Sequence, residues 1–389
     1  MWLWIGVSAA ALIVLGFLLY RLYSQHADRQ FPPHVAHELV VRFAEGITQE
    51  QIDAIHKKAR CEVVETSEDL GYTRIKSKRS MRRILKHYSK LKEIEYAEPN
   101  ILFNAFYTPN DPYFAFYQYG PQKIEAPAAW DVTQSSPDVV IAVLDTGVQL
   151  DHPELAPKLV SGYDFVDGDA APYDGNGHGT HVAGIVAAAT NNARGIAGVA
   201  PLASIMPVRV LDNSGSGNLS SVASGIIYAV NQGARVINLS LGSRSAAQTL
   251  QHAIQYAWDR GVVVIAAAGN ENTNAPAYPA YYPNVIAVAS TNQRDARSSF
   301  SNYGNWVDVA APGDQILSTH LRGNYAYLSG TSMAAPHVAG VAGLLAAQQR
   351  THLQIHNAIV ETADPIPGTG TLWRHGRVNA ARAVQMPIS

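Results

Sequence analysis

The chain has 389 residues, of which 47% are apolar and 15% are charged, so it is long enough for more than one globular domain. Its formal net charge is -2, so the chain does not have the excess of basic residues that is typical of nucleic-acid-binding proteins, and we expect no nucleic-acid partner. The single cysteine, Cys61, excludes an internal disulfide framework.

The chain begins with an apolar run without a charged residue over positions 2–20, which ends at Arg21. Its length matches a helix that crosses a bilayer, exceeds most signal-peptide cores, and has no basic leader. We therefore predict an N-terminal hydrophobic helix, residues 1–22, that binds the membrane as an anchor or signal-anchor; a cleaved signal peptide is the alternative. The basic residues Arg21 and Arg29 follow the run, which by the positive-inside rule favours a cytoplasmic position for the rest of the chain.

Residues 35–106 have the pattern of a small α+β domain. Short segments predict strands and helices in the order βαββαβ, namely HELVVRF, TQEQIDAIHKKAR, CEVVETS, YTRIKS, SMRRILKHYSKL and IEYAEPNILF. Thr48 and Gln51 stand at capping-box spacing where the first helix should begin. This order is the ferredoxin-like pattern.

In residues 107–389, apolar runs alternate with helical patterns. The runs VVIAVLD, ARVINLSL, GVVVIAAAG and NVIAVAS are apolar throughout, which is typical of parallel strands covered on both faces. The stretches SSVASGIIYAVNQG and TLQHAIQYAWDRG have helical spacing. We predict a doubly wound α/β domain with a mostly parallel sheet, whose site lies at the carboxyl ends of its strands.

Three motifs supply a carboxylate, an imidazole and a hydroxyl in one order along the chain. VLDTGV contains Asp145, GNGHGTHVAG contains His178, and SGTSMAAPHVAG contains Ser332. A serine hydroxyl is a weak nucleophile without a base, and a carboxylate can fix the tautomer of that base, so the set indicates acyl transfer. Ser332 alone could instead be a helix N-cap. The spacing of His178 and His181 could suggest zinc, but no HExxH glutamate lies between them.

The order Asp, His, Ser is that of subtilisin, and from Tyr107 onward the chain resembles the subtilases. Further matching stretches are YGPQKIEAP, NNARGIAG, RVLDNSGSG, NLSLG, AAAGN and GRVNA. The resemblance implies a subtilisin-like serine endopeptidase, with Ser332 as nucleophile, His178 as general base and Asp145 as its partner. His181 and His337 would then be structural.

Asn270 in AAAGN has two interpretations. An asparagine after glycine is commonly a turn residue. By the resemblance, its amide would instead donate to the oxyanion that forms on the substrate carbonyl, beside the Ser332 N–H.

The resemblance extends to residues 35–106, which are similar to the inhibitory propeptide of subtilases; a separate regulatory or adaptor domain is the alternative. The chain would then be a zymogen that cleaves itself before Tyr107 and keeps its propeptide as an inhibitor. Such a cut would place Phe106 at P1 and Phe103 at P4.

The resemblance also implies where a polypeptide substrate binds. It would add as a strand between two edges, which are Ser240-Leu241-Gly242 and Gly215-Ser216-Gly217. The S1 pocket would be formed by Ala267, Ala268, Gly269 and Ala277. Small apolar linings without an acidic base predict a preference for large apolar P1 side chains.

Calcium is the implied cofactor. Asp164, Asp167 and Asp169 place three carboxylates within one short loop, where they would repel one another without a cation and would suit Ca²⁺; a solvated acidic loop is the alternative. The resemblance implies a second site in which Glu154 stands where the family usually has aspartate. Its other ligands would be Asp111, Asn192 and the carbonyls of Ala189, Arg194 and Ile196.

We expect a monomer that works outside the cytoplasm or at the cell surface, because the family resemblance outweighs two flanking charges. A catalytically idle binding protein on the same fold is disfavoured, since all four catalytic positions hold competent residues. A processing protease of narrow specificity would be indicated by long acidic insertions near the cleft, and the sequence has none.

Overall fold

The computed structural model describes residues 34–102 and 108–388, which form two compact units. The predicted N-terminal helix and the predicted cleavage junction around Tyr107 lie outside the described residues, so both stay predictions. Within residues 34–102 and 108–388, no helix combines the length and apolarity that a bilayer span requires.

The first unit is a four-stranded antiparallel sheet with two helices. Its elements are β1 (His34–Phe43), α1 (Gln49–Ala59), β2 (Cys61–Ser67), β3 (Tyr72–Ser77), α2 (Met81–Tyr88) and β4 (Ile94–Ile101). The strand order β2-β3-β1-β4 confirms the ferredoxin-like prediction, and Thr48 and Gln51 form the predicted capping box. Leu39, Ile75 and Tyr88 are fully buried in its core.

The second unit is built on an eight-stranded sheet in which every adjacent pair of described strands is parallel. The strand order is β14-β11-β10-β9-β8-β5-β7-β6, and β12 and β13 form a separate antiparallel hairpin. The strands are β5 (Val140–Asp145), β6 (Tyr163–Asp164), β7 (Ser204–Arg209), β8 (Val236–Leu239), β9 (Val263–Ala267), β10 (Val285–Thr291), β11 (Val309–Pro312), β12 (Ile316–His320), β13 (Asn324–Leu328) and β14 (Gly376–Arg377).

Helices cover both faces of this sheet, which confirms the predicted doubly wound α/β domain. They are α3 (Phe114–Tyr117), α4 (Tyr119–Lys123), α5 (Ala126–Trp130), α6 (His178–Ala187), α7 (Leu219–Asn231), α8 (Gln248–Asp259), α9 (Thr331–Ala347), α10 (His352–Glu361) and α11 (Ala380–Gln385). Successive residues of β5 point to opposite faces. Ile141 and Val143 therefore join a core with α6 and α9, whereas Ala142 and Leu144 join a second core with α7 and α8.

One central strand, β7, was not predicted. Its sequence SIMPVR contains Pro207, which has no N–H to donate to a sheet and argues against a strand. In the structure Pro207 lies just before the two residues of β7 that pair with the short edge strand β6. The missing N–H is therefore tolerated there.

The elements that carry the predicted site residues converge because parallel strands end at the same edge of a sheet. Asp145 ends β5, Ser240 directly follows β8, and Asn270 follows β9. Helix α9 begins at the same edge and runs through the centre of the unit. Of its seventeen residues, only Ser332 and Ala347 are not buried.

Candidate active site

Asp145 and His178 form a direct hydrogen-bonded pair. Asp145 is fully buried, and its Oδ1 accepts from the Thr146 N–H and from His178 Nδ1, both at 2.7 Å. Burial alone would lower the pKa of His178, but the charge and hydrogen bond of Asp145, with the charge of Asp174, raise it above its ordinary value. Because Nδ1 donates to Asp145, Nε2 is left as the acceptor of the neutral ring.

Ser332 is the second residue of α9, and Gly330 is the N-cap, so Ser332 is not an N-cap. The Ser332 N–H lies in the first turn, where no helical carbonyl can accept it. Its carbonyl accepts from Ser240 Oγ at 2.8 Å. That carbonyl is outside the helical ladder because Pro336, four residues later, has no N–H.

The hydroxyl of Ser332 donates to the Ser240 carbonyl at 3.1 Å, and among the described residues it makes no hydrogen bond to His178. Two adjoining cavities nevertheless connect the two side chains. His178 lines the larger cavity, of about 690 Å³, and Ser332 lines the smaller, of about 230 Å³. Leu241 and Gly242 line both, so His178 and Ser332 belong to one cleft.

The side-chain amide of Asn270 is held in one orientation. Its Oδ1 accepts from the Thr331 N–H at 2.8 Å and from Thr331 Oγ1 at 2.9 Å, which leaves Nδ2 as a donor for the cleft. The preceding Gly269 has φ +101°, and a Cβ there would clash with Asn302 Nδ2. Only glycine therefore fits before Asn270.

The predicted substrate-binding segments surround this cleft. Residues 215–217 and 240–242 line the larger cavity from two sides. The smaller cavity is lined by Ala267, Gly269 and Ala277, whereas Ala268 is fully buried and does not line it.

Two charged residues that the sequence analysis missed, Arg244 and Glu271, also line the smaller cavity. Glu271 Oε2 accepts from Asn302 Nδ2 at 2.7 Å. The expectation of small apolar linings is therefore incomplete. Arg244 closely follows the predicted segment 240–242, and Glu271 directly follows Asn270. This closeness in sequence was the signal that could have predicted their place in the cleft.

His181 and His337 are held inside the fold. His181 Nε2 lies 3.0 Å from each of the Ile316 and Ala326 carbonyl oxygens, and burial lowers the pKa of His181 to about 3. His337 Nδ1 lies 2.8 Å from the Met333 carbonyl oxygen, and burial lowers its pKa to about 4. This geometry is that of structural histidines and gives no support to zinc.

Two of the three carboxylates in the acidic loop at Asp164 pair with an arginine, so their mutual repulsion alone does not require a bound cation, and a calcium site there stays a prediction. Arg209, the last residue of β7, contacts Asp164 at 2.6 Å and Asp167 at 2.5 Å. Asp169 Oδ1 accepts from the Ala171 N–H at 2.8 Å. Across residues 34–102 and 108–388, no group of three or more His, Cys, Asp or Glu side chains gathers as a metal site.

Asp111 and Glu154 are a different case, because they are buried carboxylates that form no ion pair among the described residues. Asp111 accepts from the N–H groups of Asn191 and Asn192. Glu154 accepts from the Tyr325 hydroxyl at 2.8 Å and from Asn192 Nδ2 at 3.1 Å. Burial raises the pKa of both carboxyl groups, and that of Glu154 reaches about 7.

The loop after α6 brings two further predicted ligand residues, Ala189 and Arg194, next to Glu154 and Asn192. The Ala189 N–H donates to the Glu154 carbonyl at 2.9 Å, and the Arg194 N–H donates to Asn192 Oδ1 at 2.9 Å. The candidate metal ligands are carboxylate, amide and carbonyl oxygens, which are the ligands that Ca²⁺ prefers. Two buried acids without a basic partner fit a divalent cation.

Comparison with known proteins gives two family matches. A model described as the subtilase family matches residues 136–382, and one described as the fervidolysin N-terminal prodomain matches residues 25–100. Thermitase of Thermoactinomyces vulgaris is 64% identical over 279 residues, which cover 72% of this chain and 100% of thermitase.

A thermophilic serine proteinase of Bacillus sp. (strain AK1) is 51% identical over 357 residues, which cover 90% of this chain and 88% of that protein. A solved structure of proteases from Pseudoalteromonas arctica PAMC 21717 matches with a TM-score of 0.66 and 38% identity. That match covers 72% of this chain and 99% of the solved chain.

Proposed function

The chain belongs to the subtilase family of serine endopeptidases and carries a subtilase-type N-terminal prodomain, and on that premise we propose that it is a self-processing zymogen. Its mature enzyme cleaves polypeptides outside the cytoplasm, with Asp145, His178 and Ser332 as the triad. The observation that carries this proposal is the 2.7 Å contact of Asp145 with His178 beside the cleft that also holds Ser332.

In the proposed mechanism, His178 Nε2 removes the proton from Ser332 Oγ as that oxygen attacks the peptide carbonyl, and then gives the proton to the leaving amine. Asp145 holds Nδ1–H and stabilises the imidazolium. The Ser332 hydroxyl must first turn from the Ser240 carbonyl toward His178, in line with catalytic hydrogen bonds that tighten only when substrate binds. Water activated by the same base then hydrolyses the acyl-enzyme.

The oxyanion of the tetrahedral intermediate needs preorganised donors. Asn270 Nδ2 and the Ser332 N–H are two donors whose positions are fixed without substrate. Both belong to residues that line the smaller cavity, where the P1 side chain would enter.

We expect a large apolar P1 residue to be preferred. Among four-residue p-nitroanilides that differ only at P1, kcat/KM for phenylalanine should exceed that for alanine by about tenfold or more, because apolar side-chain groups add transition-state binding in an apolar pocket. The variants R244A and E271Q are the matched controls, and they should keep this order because Ala267 and Ala277 are unchanged. Equal kcat/KM for phenylalanine, alanine and aspartate would contradict the assigned pocket.

We propose that Ca²⁺ is held by the side chains of Asp111, Glu154 and Asn192 with the carbonyl oxygens of Ala189, Arg194 and Ile196. When bound, the cation supplies the positive charge that the buried carboxylates lack. A ligand that binds only the folded state stabilises it by about 2.7 kcal/mol at a hundred times its dissociation constant. We therefore expect EDTA to lower the Tm of mature enzyme that phenylmethylsulfonyl fluoride has inactivated.

The variant E154Q should reduce this EDTA effect. The matched control is D167N, which should keep the effect because Arg209 already pairs with Asp167. The measurement is calorimetric Tm with millimolar calcium and with EDTA. Identical curves for the wild type under both conditions would rule out a stabilising calcium site.

A further inference from the structure

Asp174 is a fully buried carboxylate that the mechanism above does not use. Its Oδ1 accepts from Thr146 Oγ1 and from the N–H groups of Asn176 and Gly177, each at 2.9 Å. Its Oδ2 accepts from the Thr180 N–H at 2.9 Å and from Thr180 Oγ1 at 2.6 Å. All five partners are donors, as an ionised carboxylate requires.

These hydrogen bonds join the two elements that carry the base and its partner. Thr146 directly follows Asp145 at the end of β5, while residues 176–180 lead into and open α6, which begins at His178. Thr146 Oγ1, which donates to Asp174, also accepts from the Gly179 N–H at 2.9 Å. The backbone adds a further link, since the Val148 N–H donates to the Pro172 carbonyl at 3.0 Å.

Asp174 also replaces a missing helix cap. The N-cap of α6 is Gly177, which has φ +104° and no side chain that could accept from the first turn. Asp174 accepts from the N–H groups of Gly177 and Thr180 instead. The positive end of the helix dipole and these donors stabilise its charge, although no Lys or Arg of the described residues forms an ion pair with it.

We propose that Asp174 is a positioning residue of the protease. It holds the end of β5 against the start of α6 and so fixes the Asp145–His178 contact, and its negative charge adds to that of Asp145 on the imidazolium. The proposal rests on the proposed function, in which His178 is the general base.

The sign of the pH effect follows from the groups around His178. Asp145 faces it from β5 and Asp174 from the loop before α6, while His181 lies one turn further along α6 and His320 of β12 lies beside Gly177. Two negative charges thus favour the protonated ring. Removal of one lowers the pKa of His178, so the neutral base persists at lower pH and the acid limb of kcat/KM moves to lower pH.

The test is D174N in the mature enzyme, with active sites counted by phenylmethylsulfonyl fluoride. The asparagine side chain has the same shape as aspartate but no charge, and its NH₂ group would face one or more of the five donors that now contact Asp174. We expect kcat per titrated site to fall about tenfold to a hundredfold, the scale of a small misplacement of reacting groups. KM should change little, and the acid limb should move to lower pH.

The matched control is D308N, which also neutralises a buried carboxylate that accepts a backbone N–H, here from Ala287 at 2.9 Å. It should keep kcat per titrated site and the acid limb, even if its Tm falls. Wild-type kcat and an unmoved acid limb in D174N would overturn the proposal and leave Asp174 as a structural residue.

If D174N does not fold, T146V provides the second test, because it keeps the charge but breaks the link between β5 and Asp174. It should lower kcat without moving the acid limb, and wild-type kcat in T146V would overturn the proposal. Failure of the proposed function has a separate signature, which is activity that survives in S332A.

Discussion

Replacement of Ser332 by alanine, or of His178 by alanine, is expected to lower kcat by about 10⁶-fold, the scale known for the equivalent changes in subtilisin. The nucleophile and base act as a unit, so the double variant should be scarcely worse than either single one. His178 is useful as a base only if it can reach Ser332 Oγ. Without that oxygen, neither the 2.7 Å Asp145 contact nor the Asn270 amide has a covalent step to assist.

The measurement is kcat on a peptide p-nitroanilide with purified, folded variants. The matched control is S220A, which removes another hydroxyl near the start of a helix, α7, and should leave kcat unchanged. S332A protein that hydrolyses peptide near the wild-type rate would refute the assigned nucleophile.

The same variant reports on maturation. If the chain cuts itself before Tyr107, S332A should accumulate as the full precursor, whereas sequencing of the mature wild type should begin within a few residues of Tyr107. The isolated 35–106 segment should inhibit the mature enzyme in trans. A fully active protein that still carries residues 35–106 covalently would contradict the zymogen model.

Replacement of Asn270 by leucine is expected to lower kcat by about 10²–10³-fold with little change in KM, the magnitude found in subtilisin for loss of one oxyanion donor. Leucine has a similar size but no N–H, while the Ser332 N–H remains as the second donor. The two Thr331 hydrogen bonds to Oδ1 fix the amide before substrate arrives, so the loss should fall on the transition state.

Values of kcat and KM for N270L test this expectation, with N274L as a control at an exposed asparagine of the same loop. A raised KM with unchanged kcat would mean that Asn270 binds the substrate in its ground state. That result would remove Asn270 from the oxyanion site and leave the triad in place.

The fold could be predicted where its signals are local. Apolar runs between helical patterns identified β5, β8, β9 and β10 to within a few residues, and the Thr48–Gln51 capping box located the start of α1. Strand β7 was missed, and its Pro207 is a residue that argues against a strand. Its tolerance depends on the pairing of a neighbouring strand, which the sequence does not display.

Site residues could be predicted where they lie in a recognisable motif. They could not be predicted where their contacts involve a residue that is distant in sequence. The acidic loop at Asp164 was interpreted without Arg209, which lies 45 positions away in the missed strand. The Ser332 hydroxyl donates to the carbonyl of Ser240, a residue 92 positions away in sequence. The five hydrogen bonds of Asp174 likewise depend on how β5 and α6 meet.

The burial of α9 bears on how this enzyme loses activity with time. A helix buried along almost its whole length opens only when the surrounding domain opens, so the segment that carries Ser332 belongs to the most protected part of the molecule. A copy that has opened exposes its own chain, which is then a polypeptide that intact copies can digest. When this digestion is faster than refolding, the working lifetime of the enzyme depends on the rate of opening rather than on the folding equilibrium.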